Sequence, residues 1–240
     1  MPKLIVLEFK KLKRSKILYI VVCTMFLFYL CAVAQGIKSA YSAERLMNET
    51  LTYATFLIAP ALFSLLGSYI ISREYLDDTM KSLVIVPINT GKLIYAKLIA
   101  SLIIGLILFL ILFIFSLISA FFVHADQVTV AFVFIKLKIF LLQGLGCFAV
   151  SLPIIVFTAM MKNGYWLSAI FAEIYSFTGL IAASSNYRNI YPVSAVFGFS
   201  GANPATSSEY FLCCLSLAGS TLVAIVILKL IIIFKSNSMK

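Results

Sequence analysis

The chain has 240 residues, of which 62% are hydrophobic and only 12% are charged, and its mean hydropathy is +1.08. A soluble domain carries about 25% charged residues, so this composition excludes a soluble globular protein. The formal net charge of +10 does not indicate a nucleic-acid-binding protein, because the basic residues lie at the ends of apolar blocks, as they do in membrane proteins. The apolar blocks are continuous rather than alternating, which predicts membrane-spanning α-helices and not a β-barrel.

Residues 1–16 are basic and amphipathic, and they predict a short helix that lies on the membrane surface before the first span. The basic residues that we expect to face anionic lipid headgroups are Lys10, Lys11, Lys13, Arg14 and Lys16. The first apolar block, residues 17–34, is predicted to be a retained span. It is long, and no small-residue cleavage pattern followed by a soluble domain is present.

The remaining apolar blocks predict five further spans separated by polar segments. The expected spans cover residues 17–34, 51–71, 98–123, 139–161, 164–183 and 209–234. Residues 128–138 are ambiguous, because Lys136 and Lys138 interrupt an apolar run. Pro153 lies inside span four and should kink it, since proline removes a helical hydrogen bond. No internal repeat or linker divides the chain, so residues 1–240 are expected to form a single transmembrane domain without a nucleotide-binding domain.

Six spans place both termini on one side of the membrane, and the basic residues predict which side. Fourteen Lys and Arg residues lie at the termini and in the segments after spans two and four, whereas five lie on the other side. The richer side should be cytoplasmic. The expected fold is therefore an all-α integral membrane protein with both ends inside. Aromatic residues in the long outer loop, residues 184–208, predict short helices that lie at the outer interface.

The chain contains none of the motifs with which a membrane enzyme or an ATPase acts. It has no Gly-x-x-x-x-Gly-Lys-Ser/Thr phosphate loop, no Gly-x-Ser-x-Gly elbow and no His-Glu zinc motif, and His124 is its single histidine. The five cysteines lie in apolar blocks without metal-ligand spacing. We expect no catalytic residue, no metal and no cofactor in this chain. Active transport would need an ion gradient or a separate ATPase.

Glu173 lies near the middle of span five and is the one clear ionisable group inside a predicted span. A charge at the centre of a membrane helix costs about 2.5–3.5 kcal/mol on insertion scales. Two interpretations stay open: a carboxylate in a translocation path, and a neutral glutamic acid that is hydrogen-bonded to another span. An ion-coupled carrier and an intramembrane enzyme are therefore the alternatives to a transport subunit.

The segment after span two carries the most informative motif. From residue 73 to residue 83 it reads Arg-Glu-Tyr-Leu-Asp-Asp-Thr-Met-Lys-Ser-Leu, and Pro87 follows. An Arg-Glu-aromatic step, acidic residues, a threonine, Lys-x-Leu and a nearby proline follow one another in the ABC type-2 export permeases, which this segment resembles. Residues 8–16, Glu-Phe-Lys-Lys-Leu-Lys-Arg-Ser-Lys, look like the start of the bacitracin and lantibiotic self-immunity permeases of that class. Asp77 and Asp78 stand where many relatives have a glycine before the threonine.

The resemblance implies the permease subunit of an ABC exporter that expels an amphipathic peptide antibiotic or bacteriocin. It also implies two copies of a cytoplasmic ATPase, which bind ATP and Mg²⁺, and a second permease subunit that is identical or different. The composition suits the plasma membrane of a Gram-positive bacterium. A short amphipathic helix between spans two and three should dock into the ATPase. Its expected contact residues are Arg73, Glu74, Tyr75, Asp78, Thr79, Met80 and Leu83.

Overall fold

The computed structural model describes residues 2–12, 15–39, 41–76, 90–159, 161 and 164–238. Within these ranges the regular structure is helical, and six helices are long and apolar enough to cross a membrane. The α-helices are α1 (Pro2–Leu12), α2 (Lys16–Lys38), α3 (Ala43–Tyr53), α4 (Ala59–Leu76), α5 (Thr90–Val123), α6 (Val130–Thr158), α7 (Tyr165–Ala183), α8 (Pro192–Ser200) and α9 (Ser207–Ser238). A π-helical turn, Ala54–Ile58, joins α3 to α4. The all-helical class and the six expected spans are confirmed.

Successive spans run in opposite directions, which gives the bundle two distinct ends. The helix α1, the last turns of α4 and the first turns of α5 lie together at one end, called here the N-terminal end. The turns after α2 and α5 meet at the opposite end, called the loop end. There the ring Nε2 of His124 lies 3.0 Å from the carbonyl oxygen of Tyr41, and the N–H of Ala43 donates to the side chain of Gln127 at 3.0 Å.

Several helices begin earlier than the apolar blocks suggested. The predicted loop at residues 35–50 is mostly helical, because α2 continues to Lys38 and α3 begins at Ala43. Span three is already helical at Thr90, and span four begins at Val130, eight and nine residues before the predicted starts. Hydroxyl caps explain two of these corrections: Ser42 accepts the N–H of Arg45 at 3.3 Å, and Thr129 accepts the N–H of Phe132 at 3.3 Å. Such caps start a helix outside the apolar block.

The π-helical turn in span two follows from a proline. Pro60 has no N–H, so it cannot donate to the carbonyl group of Phe56, four residues earlier. The chain takes a wider register just before this point, and the N–H of Ala59 bonds to the carbonyl oxygen of Ala54, five residues back. The turn brings Thr55 into the buried core. Turns of this kind are often found at functional sites.

The helix α4 lies at the centre of the bundle and packs against α5, α6 and α7. An aromatic cluster holds its middle. The ring of Phe63 is parallel to that of Phe109 at a centroid distance of 5.9 Å and edge-on to that of Phe148 at 6.1 Å. By contrast, α2, α7 and α9 bury less than a third of their most apolar stretch. Their remaining apolar surface suits hydrocarbon contact, because lipid tails are as apolar as these side chains.

The short helix α8 lies in the segment where short helices were expected at the outer interface, and it is packed among other helices. Its residues Val193, Ala195 and Val196 are at most 1% exposed, since α8 packs between α6, α7 and α9. Glycines make the space. A Cβ atom at Gly146 of α6 would lie 2.5 Å from Val196, and one at Gly179 of α7 would lie 2.7 Å from Val193. The buried apolar side chains of this helix therefore pack against the bundle, and its place at the outer interface stays a prediction.

Candidate functional site

Lys136 of α6 is buried near the loop end, and it is the residue that made the start of span four ambiguous. Its side chain is 5% exposed, and its Nζ donates to Glu44 Oε1 at 3.0 Å and to Asn48 Oδ1 at 2.8 Å, both on α3. A buried ammonium group requires such partners. The carboxylate of Glu44 is still 67% exposed, so the pair joins the bundle interior to the water boundary. Sequence reasoning missed the pair, because its partners are about ninety positions apart in the chain.

Further polar contacts join span two to span four between Lys136 and the N-terminal end of the bundle. Near the middle of the bundle, Gln143 Nε2 donates to Thr55 Oγ1 of the π-helical turn at 2.9 Å. Near the N-terminal end, the hydroxyl groups of Ser68 and Thr158 are 2.7 Å apart. The Oε1 atom of Gln143 is buried and has no hydrogen-bond partner among the described residues. Polar side chains are costly inside a membrane and generally face the bundle interior or a water-filled cavity, so this row of contacts fixes span four against span two.

Glu173 of α7 is half-buried, and it has no hydrogen bond or ion pair within the part of the chain that the structure describes. The buried residues of α7 are small, namely Ser168, Ala172, Ser176 and Gly179, and small residues let helix backbones approach closely. Glu173 follows the buried Ala172 along α7 and has no polar partner on the described part of another span.

The N-terminal end holds the part of the expected ATPase contact that the structure describes. Arg73 lies in the last turns of α4, with its guanidinium carbon 6.0 Å from the centre of the Tyr69 ring. The hydroxyl group of Ser15 donates to the Tyr69 hydroxyl oxygen at 3.0 Å, which links this turn to the start of α2. Glu74 and Tyr75 continue α4, and only their backbone is described. The expected contact residues that lie outside the described residues are Asp78, Thr79, Met80 and Leu83.

The amphipathic N-terminal segment forms the helix α1, which packs against α5. Leu12 and Glu8 are buried, at 1% and 2% exposure, while Val6 and Leu7 are about half exposed, at 53% and 51%. Among the expected headgroup-facing residues, Lys10, Lys11 and Lys16 are exposed; the other two, Lys13 and Arg14, lie outside the described residues. The helix therefore presents basic side chains outward while it buries one face against span three.

Lys97 of α5 is 1% exposed, although the sequence suggested an ordinary basic residue at a span end. Its Nζ donates to the carbonyl oxygens of Ile70 and Ile71 in α4, at 2.6 Å and 3.3 Å. A lysine carries three N–H donors and no acceptor, so backbone carbonyl oxygens suit it. The sequence signal was weak, because the acceptors are main-chain atoms that any residue supplies.

An apolar groove of about 600 Å³ opens between α6, α7 and α9, beside α8. Pro153 of α6 lines it, as do Phe171 of α7 and Val223 of α9. Because Pro153 has no N–H, the carbonyl group of Ala149 loses its helical partner. The hydroxyl oxygen of Ser220 in α9 lies 3.3 Å from that carbonyl oxygen and 2.8 Å from the carbonyl oxygen of Leu217 in its own helix. The single O–H donor of Ser220 is therefore shared between these two acceptors, and α6 continues past the proline to Thr158.

Comparison with known proteins decides the class. The family described as ABC-2 family transporter protein matches residues 4–179. This chain belongs to that family. A protein named bacitracin transport permease protein BCRB, from Bacillus licheniformis, is 28% identical over 150 residues, which cover 62% of this chain and 72% of that protein. The chain is therefore a permease subunit of the ABC-2 class, and the resemblance inferred from residues 73–83 and from the N-terminus is confirmed.

The family match places this ABC-2 permease in the cell membrane as a multi-pass protein that works with an ATPase subunit. It covers α1 to α6 and most of α7, including residues 73–83 and Glu173. The short buried helix α8 and the last span, α9, lie beyond the matched region.

Proposed function

We propose that this ABC-2 permease is the membrane part of an exporter that removes an amphipathic peptide antibiotic, such as bacitracin, and so protects the cell that makes or meets it. The observation that carries the proposal is the 28% identity to a bacitracin transport permease over 150 residues. Two copies of a cytoplasmic ATPase, each binding ATP and Mg²⁺, drive the exporter. The absence of a phosphate-loop motif from the sequence supports a separate ATPase subunit.

The proposed orientation places both termini in the cytoplasm, in the membrane of a Gram-positive bacterium. Fourteen of the nineteen Lys and Arg residues then lie on the cytoplasmic side, as the positive-inside rule requires. The N-terminal end of the bundle is the cytoplasmic end in this orientation, and the loop end with α8 is the outer end. A second permease subunit completes the path. The largely exposed apolar faces of α2, α7 and α9 offer surfaces for it.

Residues 73–83 are the proposed contact with the ATPase. Support comes from both sides of the segment: α4 continues as a helix through Leu76, and α5 is already helical at Thr90. A push on the segment therefore reaches spans two and three through rigid helices. Glu74 and Asp78 are four residues apart, so in a helix they share one face, which suits a basic surface on the ATPase.

The test is co-purification of the permease with its ATPase in mild detergent. Glu74→Lys places like charges together at the contact, which usually costs several kcal/mol, so the retained ATPase should fall at least tenfold while the permease still inserts. Asp126→Lys is the matched control, because it makes the same charge change in an exposed turn at the loop end and should retain the ATPase. A fully coupled ATPase on Glu74→Lys would place the contact elsewhere.

The substrate is tested in cells that are sensitive to bacitracin. Co-expression of the permease with its ATPase should raise the bacitracin concentration that stops growth, and an ATPase whose phosphate-loop lysine is replaced should abolish the effect. Equal sensitivity with the active and the inactive ATPase would exclude bacitracin as the exported peptide. The same cells then report on lantibiotics as a second group of amphipathic peptides.

A further inference from the structure

The lysine at the N-terminal end joins the two spans that flank the proposed ATPase contact. Lys97 lies in α5, and two of its hydrogen-bond acceptors, the carbonyl oxygens of Ile70 and Ile71, lie in α4. These hydrogen bonds between Lys97 and α4 are called here the tie. At a rise of about 1.5 Å per residue, the tie lies about 10 Å from Thr90 along α5 and about 9 Å from Leu76 along α4. Spans two and three thus form a pair of helices that is fastened close to the segment between them.

The chemistry of the tie favours a charged lysine. Each peptide unit carries a dipole whose negative end is the carbonyl oxygen, and this end attracts the ammonium group of Lys97. Each carbonyl oxygen has two lone pairs, so Ile70 and Ile71 can accept from Lys97 in addition to their helical bonds. A residue that is 1% exposed is usually apolar, and on α5 the buried neighbours Ala96 and Ala100 follow that rule. Lys97 is therefore a buried charged residue at the place where spans two and three meet.

We propose that Lys97 is a positioning residue that makes the cytoplasmic ends of spans two and three move as one body when the ATPase acts on residues 73–83. The inference rests on the proposed function for the transmission step, whereas the tie itself can be tested without the ATPase. Lys97 holds the helix ends at a fixed separation, so a displacement of the segment is passed to both spans and is not lost as a change in the angle between them.

The first experiment measures the tie in the purified permease alone. Spin labels at Ile71 and Tyr95, in a background with the five cysteines replaced by alanine, report the separation of α4 and α5. The wild type and Lys97→Arg should give one narrow distance distribution, and Lys97→Met should at least double its width. Lys92→Met is the matched control, because Lys92 is an exposed lysine five residues earlier on α5, and it should match the wild type. An unchanged distribution in Lys97→Met overturns the proposal.

The second experiment measures transmission in the complete complex. Lys97→Met should retain the ATPase at the wild-type ratio while ATP-driven export falls at least tenfold, and Lys97→Arg should recover more than half of the export. Export at the wild-type rate, or loss of the ATPase itself, overturns the assignment of Lys97 to transmission. If Lys97→Met does not accumulate, Lys97→Gln, which keeps a neutral amide NH₂ donor without the charge, is measured in the same two assays.

The two proposals fail in different ways. If Glu74→Lys retains a coupled ATPase, then residues 73–83 are not the contact, and the distance measurement on Lys97 variants is unaffected. If Glu74→Lys loses the ATPase but Lys97→Met exports normally, the contact stands and the transmission role of Lys97 falls.

Discussion

Gly105 of α5 leaves the space that the ring of Phe63, on the central helix α4, occupies. A Cβ atom at this position would lie 1.7 Å from Phe63 Cε1 and 2.6 Å from Phe63 Cδ1. Carbon atoms pack at about 3.5–4.0 Å, so the ring would have to retreat by about 2 Å. The ring has little room to do so, because it is 3% exposed and packs between Phe109 and Phe148. Gly105→Ala should therefore force spans two and three apart.

The expected cost follows from two opposing effects. Overpacking a filled core typically costs about 1–3 kcal/mol. Because the added Cβ atom would overlap the Phe63 ring, we expect a cost near the upper end of that range. Alanine recovers about 1 kcal/mol, because it favours the helix over glycine. The net loss in unfolding free energy for Gly105→Ala is then about 2 kcal/mol. For a chain of this size that corresponds to a fall in melting temperature of about 4–8 °C.

The assay is thermal unfolding of the purified permease in one detergent, with Gly219→Ala as the control. Gly219 also lies in a spanning helix, but a Cβ there meets nothing within 4 Å, so this variant should melt at or slightly above the wild-type temperature. Phe63→Leu combined with Gly105→Ala should lose less than the two single losses together, since residues in contact couple. Equal melting temperatures for Gly105→Ala and Gly219→Ala would refute the close packing of α4 and α5.

Three further predictions use the same purified or cell-based preparations. On intact cells, a cysteine at Ser185 should react with an impermeant thiol reagent and one at Ser236 should not; the reverse pattern would invert the proposed orientation. Glu173→Gln removes the possible charge with little change of shape, so loss of export at normal expression would identify a functional carboxylate, and wild-type export would discard that role. Lys136→Met should lower the unfolding free energy by about 1–3 kcal/mol, because it removes charge-assisted hydrogen bonds. Glu44→Gln, which keeps the acceptor oxygen, should cost less, and an equal loss in both would contradict this reading of the contact.

The sequence by itself determined the class, the number of spans and the family. Each span must satisfy its backbone hydrogen bonds internally and present apolar side chains over about 20 residues. The number of apolar blocks therefore predicts six spanning helices. The motif at residues 73–83 and the basic N-terminus are contiguous, and they indicated an ABC-2 permease without any knowledge of packing. Helix starts were less certain, because a cap such as Ser42 or Thr129 begins a helix outside the apolar block.

The tertiary structure decided which polar groups meet. Lys136 and Glu44 form their contact across two helices, and the main-chain acceptors of Lys97 leave no mark in the amino-acid pattern. The position of α8 also depends on tertiary packing. Its packing against α6 and α7 depends on the space left by Gly146 and Gly179 on those helices, which the sequence of α8 does not reveal. Hydropathy reports how each segment meets the bilayer, but pairings between distant segments depend on shape and on hydrogen-bond partners that only the folded bundle brings together.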